Sequence, residues 1–113
     1  MKISHTLILT GSLFLAVAGM SGAQAAVDAK AAEALMKSNR CVSCHHATKD
    51  KSGPSLKKMA ADLKGKADAE EKIITMITTG PMVEIDGEKE EHKKIKTTDQ
   101  AQLKNLAQWL LSH

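Results

Sequence analysis

Apolar residues recur at helical spacing in four stretches of the chain. Between Ala26 and Asn39, Ala32, Leu35 and Met36 form one stripe, and Asp28 is placed to cap its start. Leu56, Met59, Ala60 and Leu63 share a face of a shorter segment that Gly65 ends. Ile73, Met76 and Ile77 point one way along Asp68–Thr79, with Asp68 and Glu71 spaced as a capping box and Gly80-Pro81 as the stop. The last stripe is Leu103, Leu106 and Leu110, broadened by Trp109, in a helix predicted from about Thr97 to Ser112 with Gln100 as its N3 partner. Between these lie a loop at Lys49–Pro54 and an alternating Val83-Glu84-Ile85 before Asp86-Gly87, a tight-turn pair that predicts a small hairpin.

The beginning of the chain follows a different pattern. Met1-Lys2 is a short positive start, Leu7–Met20 is uncharged and apolar, and Ala23-Gln24-Ala25 has the small-x-small form of a cleavage site. This is the plan of a secretory signal peptide, and the apolar run is short for a membrane span. The expected domains are therefore a leader, residues 1–25, and a mature domain, residues 26–113.

Composition then raises a problem. The chain has no Tyr, and its only Phe, Phe14, falls in the leader, so Trp109 is left as the one large aromatic ring of 88 residues. A domain of that size is marginal without a staple or cofactor. Removing Lys2 leaves 15 Lys/Arg against 13 Asp/Glu, mixed in sign and without interleaved aromatics, which argues against a nucleic-acid partner.

The two cysteines offer the solution. They stand in Cys41-Val42-Ser43-Cys44-His45. A redox disulfide would want a βαβ context that the pattern lacks, and a zinc site would need a fourth ligand from elsewhere. The remaining reading is covalent attachment of one c-type haem. Two thiols three residues apart reach the two vinyl groups on one porphyrin edge, and the adjacent His45 presents its imidazole to the iron. The attached disc would also replace the missing aromatic core.

With that motif, Gly53-Pro54-Ser55-Leu56 and Leu106-Ala107-Gln108-Trp109-Leu110-Leu111 in the same order, the chain resembles the class I cytochromes c, and among them the small bacterial c5/c551-like members. The resemblance spans nearly all of residues 26–113. It implies an all-α fold of three to four short helices around one covalent haem c, with the first and last helices crossing, so that Ala32 and Leu35 meet Leu106 and Leu110. It implies Cys41, Cys44, His45, Pro54 and Leu56 as haem-binding residues, with the Pro54 carbonyl accepting the Nδ1 proton of His45.

The sequence departs from the family at the sixth ligand, which is usually a methionine followed by proline; no Met-Pro occurs here. Met59 and Met76 lie on apolar stripes and read as core. Met82 and His92 remain. His92 precedes Thr97 by five residues and Met82 by fifteen, and counting back from Trp109 puts the family's ligand position at or near His92. Ligation of the iron by His45 and His92 is therefore expected over His45 and Met82, and it lowers the potential relative to a thioether-ligated iron. His46 and His113 are expected at the surface.

The function implied is electron transfer in the periplasm, not catalysis. The expected partners are other redox proteins, among them multihaem cytochromes or a terminal oxidase or reductase, served by a monomer or weak dimer with no stable membrane insertion. A gas-binding haem protein and a small haem subunit of a larger enzyme are the competing classes. Lys49, Lys51, Lys57, Lys58, Lys93, Lys94 and Lys96 are expected to border the haem, next to the acidic run Glu84, Asp86, Glu88, Glu90 and Glu91, as a charge-asymmetric docking face.

Overall fold

The structure, a computed structural model, describes residues 26–113; the expected leader lies outside the described residues. Four helices carry the domain: α1 (Ala29–Ser38), α2 (Leu56–Leu63), α3 (Ala69–Thr79) and α4 (Gln100–Leu111). One two-stranded antiparallel hairpin, β1 (Met82–Ile85) and β2 (Glu88–Glu91), sits between α3 and α4.

Helix α4 is the hub, packing against α1, α2 and α3. Its buried face is Leu103, Leu106, Ala107 and Leu110. These join Ala32 and Met36 of α1, Leu56 of α2, Ile73 and Ile77 of α3, and Ile95 in a single core, with Leu35, Met59, Leu63 and Trp109 packed at its edge. Ala32 and Ala107 are both fully enclosed, small side chains that allow two helices to approach closely. Burying each large aliphatic here contributes about 1.5–3 kcal/mol. The start of α1 is pinned to α4 by a reciprocal pair: Asp28 N donates to Asn105 Oδ1 at 2.7 Å and Asn105 Nδ2 donates to the Asp28 carbonyl at 2.9 Å.

The helices differ from expectation at three points. Asp68 makes no cap hydrogen bond; its backbone is not extended, and its carboxylate instead pairs with Lys72 one turn on, at 3.0 Å. Helix α4 starts two to three residues later than expected because Asp99, not Thr97, is the N-cap, accepting from Ala101 N and Gln102 N; Thr97 accepts from Asp99 N, one step upstream. Met76 is 37% exposed, since it lies on the flank of the stripe centred on Ile73 and Ile77.

The hairpin has the register Met82↔Glu91, Val83↔Glu90, Glu84↔Lys89 and Ile85↔Glu88. Asp86 and Gly87 both take positive φ, 51° and 86°, as a two-residue turn matched to strand twist requires. The hairpin does not float free. Past its open end, His92 N donates to the Pro81 carbonyl at 2.9 Å and Ile95 N to the Ile77 carbonyl at 2.8 Å, so the chain after β2 is zipped onto the end of α3.

Candidate haem site

Helix α1 ends at Asn39, and Arg40 adopts a left-handed conformation, φ 59°. That reversal feeds a single 3-10 turn, Cys41–Ser43, which presents Cys41 and Cys44 as half-buried free thiols. Burial pushes the Cys41 thiol above its ordinary range, offset in part by backbone hydrogen bonding and the nearby charge of Lys93.

His45 follows at the end of the turn. Its Nδ1 lies 2.7 Å from the Pro54 carbonyl. A carbonyl only accepts, so Nδ1 carries the proton and Nε2 keeps the lone pair that a metal needs. The loop that brings Pro54 there is itself tied down. Gly53 N donates to the Cys44 carbonyl at 3.1 Å, and Asp50 accepts from Ser55 N at 2.8 Å. Ser55 in turn caps α2 through Lys58 N. A Cβ built on Gly53 would stand 2.6 Å from His45 Cε1 and 3.0 Å from its Nδ1. Only glycine lets this strand lie against the imidazole.

Leu56 is buried in the helical core and its N donates to the His46 carbonyl at 2.9 Å. His46 is exposed, and its Nδ1 accepts from Thr48 N and Lys49 N, both at 3.2 Å. His113 is not merely solvated: it stands edge-on to Trp109 with ring centres 4.5 Å apart, and its Nδ1 lies 3.0 Å from the Trp109 carbonyl.

His92 faces His45. Their ring centres are 6.1 Å apart and their planes are inclined at 41°. His92 Nδ1 is buried without a hydrogen-bond partner. Burial, and then the neighbouring His45, hold the His92 imidazole below its ordinary pKa, with a small opposing effect from the Lys93 backbone. Met82 is 63% exposed. Strand alternation separates it from His92, because Met82 pairs with Glu91 and shares its face, while His92, one residue further on, belongs to the other face. Among the described residues no cluster of three or more His, Cys, Asp or Glu side chains is arranged to hold a bare metal ion.

A cytochrome c family model matches residues 29–113. The chain belongs to the cytochrome c family. Among solved structures it is similar to the class 1 cytochrome MtoD from Sideroxydans lithotrophicus ES-1, at 46% identity and TM-score 0.74, covering 77% of this chain and 97% of that one. It is also similar to cytochrome c552 from Nitrosomonas europaea, at 28% identity and TM-score 0.56, covering 71% and 96%. No curated protein gives a significant match. The fold is thus that of a class I cytochrome c, the family binds one covalent haem c, and the chain is a monohaem electron carrier.

The residues fit that group. An imidazole nitrogen binds a metal at about 2.0 Å. One ion held between two imidazoles would need their ring centres roughly 6 Å apart, and those of His45 and His92 are 6.1 Å apart. Haem would supply the redox couple; Cys41 and Cys44 would attach it through their thiols, the oriented His45 would hold its iron, and Gly53 leaves the His45 face clear.

Three contributors escape a reading by pattern. Gly53 and Gly80 act through close approach, and Asn39 through burial. A Cβ on Gly80 would stand 2.6 Å from the His92 carbonyl oxygen. Asn39, 8% exposed, donates from Nδ2 to the Leu35 carbonyl and accepts from Lys96 N at 2.9 Å. Gly-Pro pairs at 53–54 and 80–81 are the one sequence signal that both glycines share.

Proposed function

We propose that this protein is a periplasmic electron shuttle whose haem iron is ligated by His45 and His92. The observation that carries the ligation is the pair of opposed imidazoles with centres 6.1 Å apart. Two others support it. The His45 tautomer leaves Nε2 free for a metal, and Met82, the rival, lies on the opposite, solvent-facing side of the hairpin. Two imidazoles saturate the iron and leave no open position for substrate or gas, which suits electron transfer between docked proteins. Without a thioether, the potential falls below that of a His/Met carrier.

Export rests on the Lys2, Leu7–Met20 and Ala23-x-Ala25 pattern. Helix α1, capped by Asp28, lies within the expected mature domain. Among the described residues no helix is long and apolar enough to cross a membrane. Partners are other redox proteins, multihaem cytochromes or a terminal oxidase or reductase, met as a monomer or weak dimer.

The test is optical and EPR spectroscopy of ferric holoprotein. The expected result is a low-spin spectrum without the far-red sulfur-to-iron band, unchanged in Met82→Leu and turned high-spin in His92→Ala. A sulfur-to-iron band lost in Met82→Leu refutes the ligation. A high-spin wild type returns the protein to the gas-binding class. Mass spectrometry of the exported protein is expected to give residues 26–113 plus one haem.

A further inference from the structure

Three backbone N–H groups anchor the segment that carries His92. His92 N donates to the Pro81 carbonyl at 2.9 Å and Ile95 N to the Ile77 carbonyl at 2.8 Å. Both of those acceptors lie at or just past the end of α3. The third anchor comes from elsewhere: Lys96 N donates to Asn39 Oδ1 at 2.9 Å, across 57 residues of chain. Asn39 is the C-cap of α1 and stands two residues before Cys41. The Lys96 bond therefore ties the His92 segment to the turn that presents the attachment thiols.

Asn39 is 8% exposed, and a buried polar side chain is costly unless its hydrogen bonds are made. Here they are made on both sides. Nδ2 donates back into α1, to the Leu35 carbonyl at 2.9 Å and to Ser38 Oγ at 3.3 Å, and this aims Oδ1 outward at Lys96 N. On the other flank Arg40, at φ 59°, reverses the chain into the 3-10 turn, so Cys41 sits at a fixed offset from the amide. Among the described residues one other side-chain hydrogen bond joins residues 39–56 to residues 80–96: Ser52 Oγ donates to Asp86 Oδ2 at 3.1 Å. That bond is exposed and water competes for both its partners, whereas Lys96 N loses its acceptor if Asn39 is cut short.

We propose that Asn39 is a positioning residue for the distal ligand: by holding Lys96 N it fixes the His92 segment against the Cys41 turn and governs how readily His92 leaves the iron. The proposal rests on the His45/His92 ligation proposed above. The buried His92 Nδ1 has no partner, so the restraint on this ring lies in the backbone that carries it. When another imidazole takes the place of His92, one nitrogen–iron bond breaks and one forms, with no electron transferred. The leaving side chain must carry its segment away from the core, and the buried Ile95 together with the Asn39–Lys96 bond resists that movement.

The experiment uses ferric holoprotein, with displacement of the distal ligand by added imidazole followed by stopped-flow absorbance. Asn39→Ser keeps the bond to the Leu35 carbonyl, since a serine hydroxyl bonds back one helical turn, but is too short to reach Lys96 N. Asn39→Asp does the converse: it keeps an oxygen for Lys96 N and loses the donor to Leu35, its charge facing the Arg40, Lys93, Lys94 and Lys96 that line the same concavity. Displacement should be about tenfold faster in Asn39→Ser, the scale of one buried hydrogen bond, and close to the wild-type rate in Asn39→Asp. Asp28→Ala removes the cap at the other end of α1 and should lower the melting temperature without changing the rate. In the wild type, saturating imidazole should lower the hydrogen-exchange protection of the Lys96 amide, a readout that needs no variant. A wild-type rate in Asn39→Ser, an equal acceleration in Asp28→Ala, or unchanged Lys96 protection overturns the proposal. Equal acceleration in Asn39→Ser and Asn39→Asp overturns it in favour of a general loosening of the end of α1. A sulfur-to-iron band or a high-spin wild type marks failure of the ligation itself; a low-spin, two-imidazole iron whose exchange ignores Asn39 marks failure of this proposal alone.

Discussion

The two sides of the haem crevice are held by different means. On the His45 side, everything lies within residues 41–56, and the ligand itself is bonded: its Nδ1 donates to the Pro54 carbonyl at 2.7 Å. On the His92 side the buried Nδ1 makes no hydrogen bond, and the backbone holds the segment through His92 N to the Pro81 carbonyl and Ile95 N to the Ile77 carbonyl. One imidazole is oriented through its own ring, the other by the scaffold beneath it. A partner on Nδ1 raises a ligand's basicity, so in the proposed ligation His45 would hold the metal more strongly than His92.

The comparison is tested most severely by removing each proposed ligand. His45→Ala should give almost no haem-loaded, folded protein, read as the yield of haem-bearing protein on export. His92→Ala should still mature and fold, because Cys41, Cys44 and His45 are untouched, and should differ mainly in spin state. Equal losses in the two variants would erase the asymmetry. A similar contrast follows for Pro54 and Pro81, which act through carbonyls and so resist side-chain substitution.

That asymmetry was only half legible in the sequence. The His45 side announces itself, because a covalent attachment chemistry demands two thiols and a histidine in one short run. The helices were legible too, since α2 and the buried faces of α1 and α4 follow from apolar spacing alone. Helix starts were less so. Thr97, Thr98 and Asp99 are three adjacent residues able to cap, and the choice among them depends on where Ile95 docks against Ile77. Asp68 looked like a cap, but Lys72 competes for the same carboxylate. The opposition of His92 to His45 joins residues 47 apart, and no local pattern encodes a distance between them; only the resemblance pointed to position 92. Gly80 reads as a helix stop, and its second duty, leaving room for the His92 carbonyl, exists only in three dimensions.

Two glycines separate these duties. Gly65 and Gly80 both have positive φ, 77° and 60°, but an added Cβ meets nothing within 4 Å at Gly65 and collides with the His92 carbonyl and Lys94 at Gly80. Gly65→Ala should therefore lose about 1–2 kcal/mol through backbone strain alone. Gly80→Ala should lose a further 1–3 kcal/mol or so through overpacking and also perturb the ferric EPR spectrum, since the displaced backbone bears the distal ring. Melting temperatures should fall by roughly 4–8 °C per kcal/mol in a domain of this size. Identical EPR spectra for the two variants would show that the end of α3 supports the fold without positioning the ligand.

On the other side, Gly53→Ala drives a methyl into the His45 ring, 2.6 Å from Cε1. Gly53 has no positive-φ strain to add, so the expected loss is the overpacking part alone, about 1–3 kcal/mol. The loop 50–55 can relax by shifting Pro54, and this would lengthen the 2.7 Å bond to Nδ1. A lower His45 basicity then raises the potential slightly. Gly53→Ala should thus move the potential with little change in spin state, and Gly80→Ala should do the reverse.

The smallest effect concerns pH and again distinguishes the sides. Asp50 is fully exposed, yet the backbone hydrogen bond from Ser55 N, followed by the Ser55 side chain, holds its carboxyl below the ordinary 3.8. A depressed folded-state pKa contributes stability that is fully present above the unfolded value and is lost as pH falls through the folded one. The loop that carries Pro54 should therefore loosen only below about pH 4, and the effect should be modest because solvent screens an exposed carboxylate. Asp50→Asn keeps an acceptor but removes the charge, so it should flatten the acid limb of the stability curve by lowering stability at neutral pH slightly, toward the value the wild type has in acid. The readout is amide hydrogen exchange at Ser55 and Leu56 across that range. Residues 92–95, which carry no such carboxylate in their backbone contacts, should keep their protection while the 50–55 loop loses it; loss of protection in both segments at the same pH would mean that the two sides open as one unit.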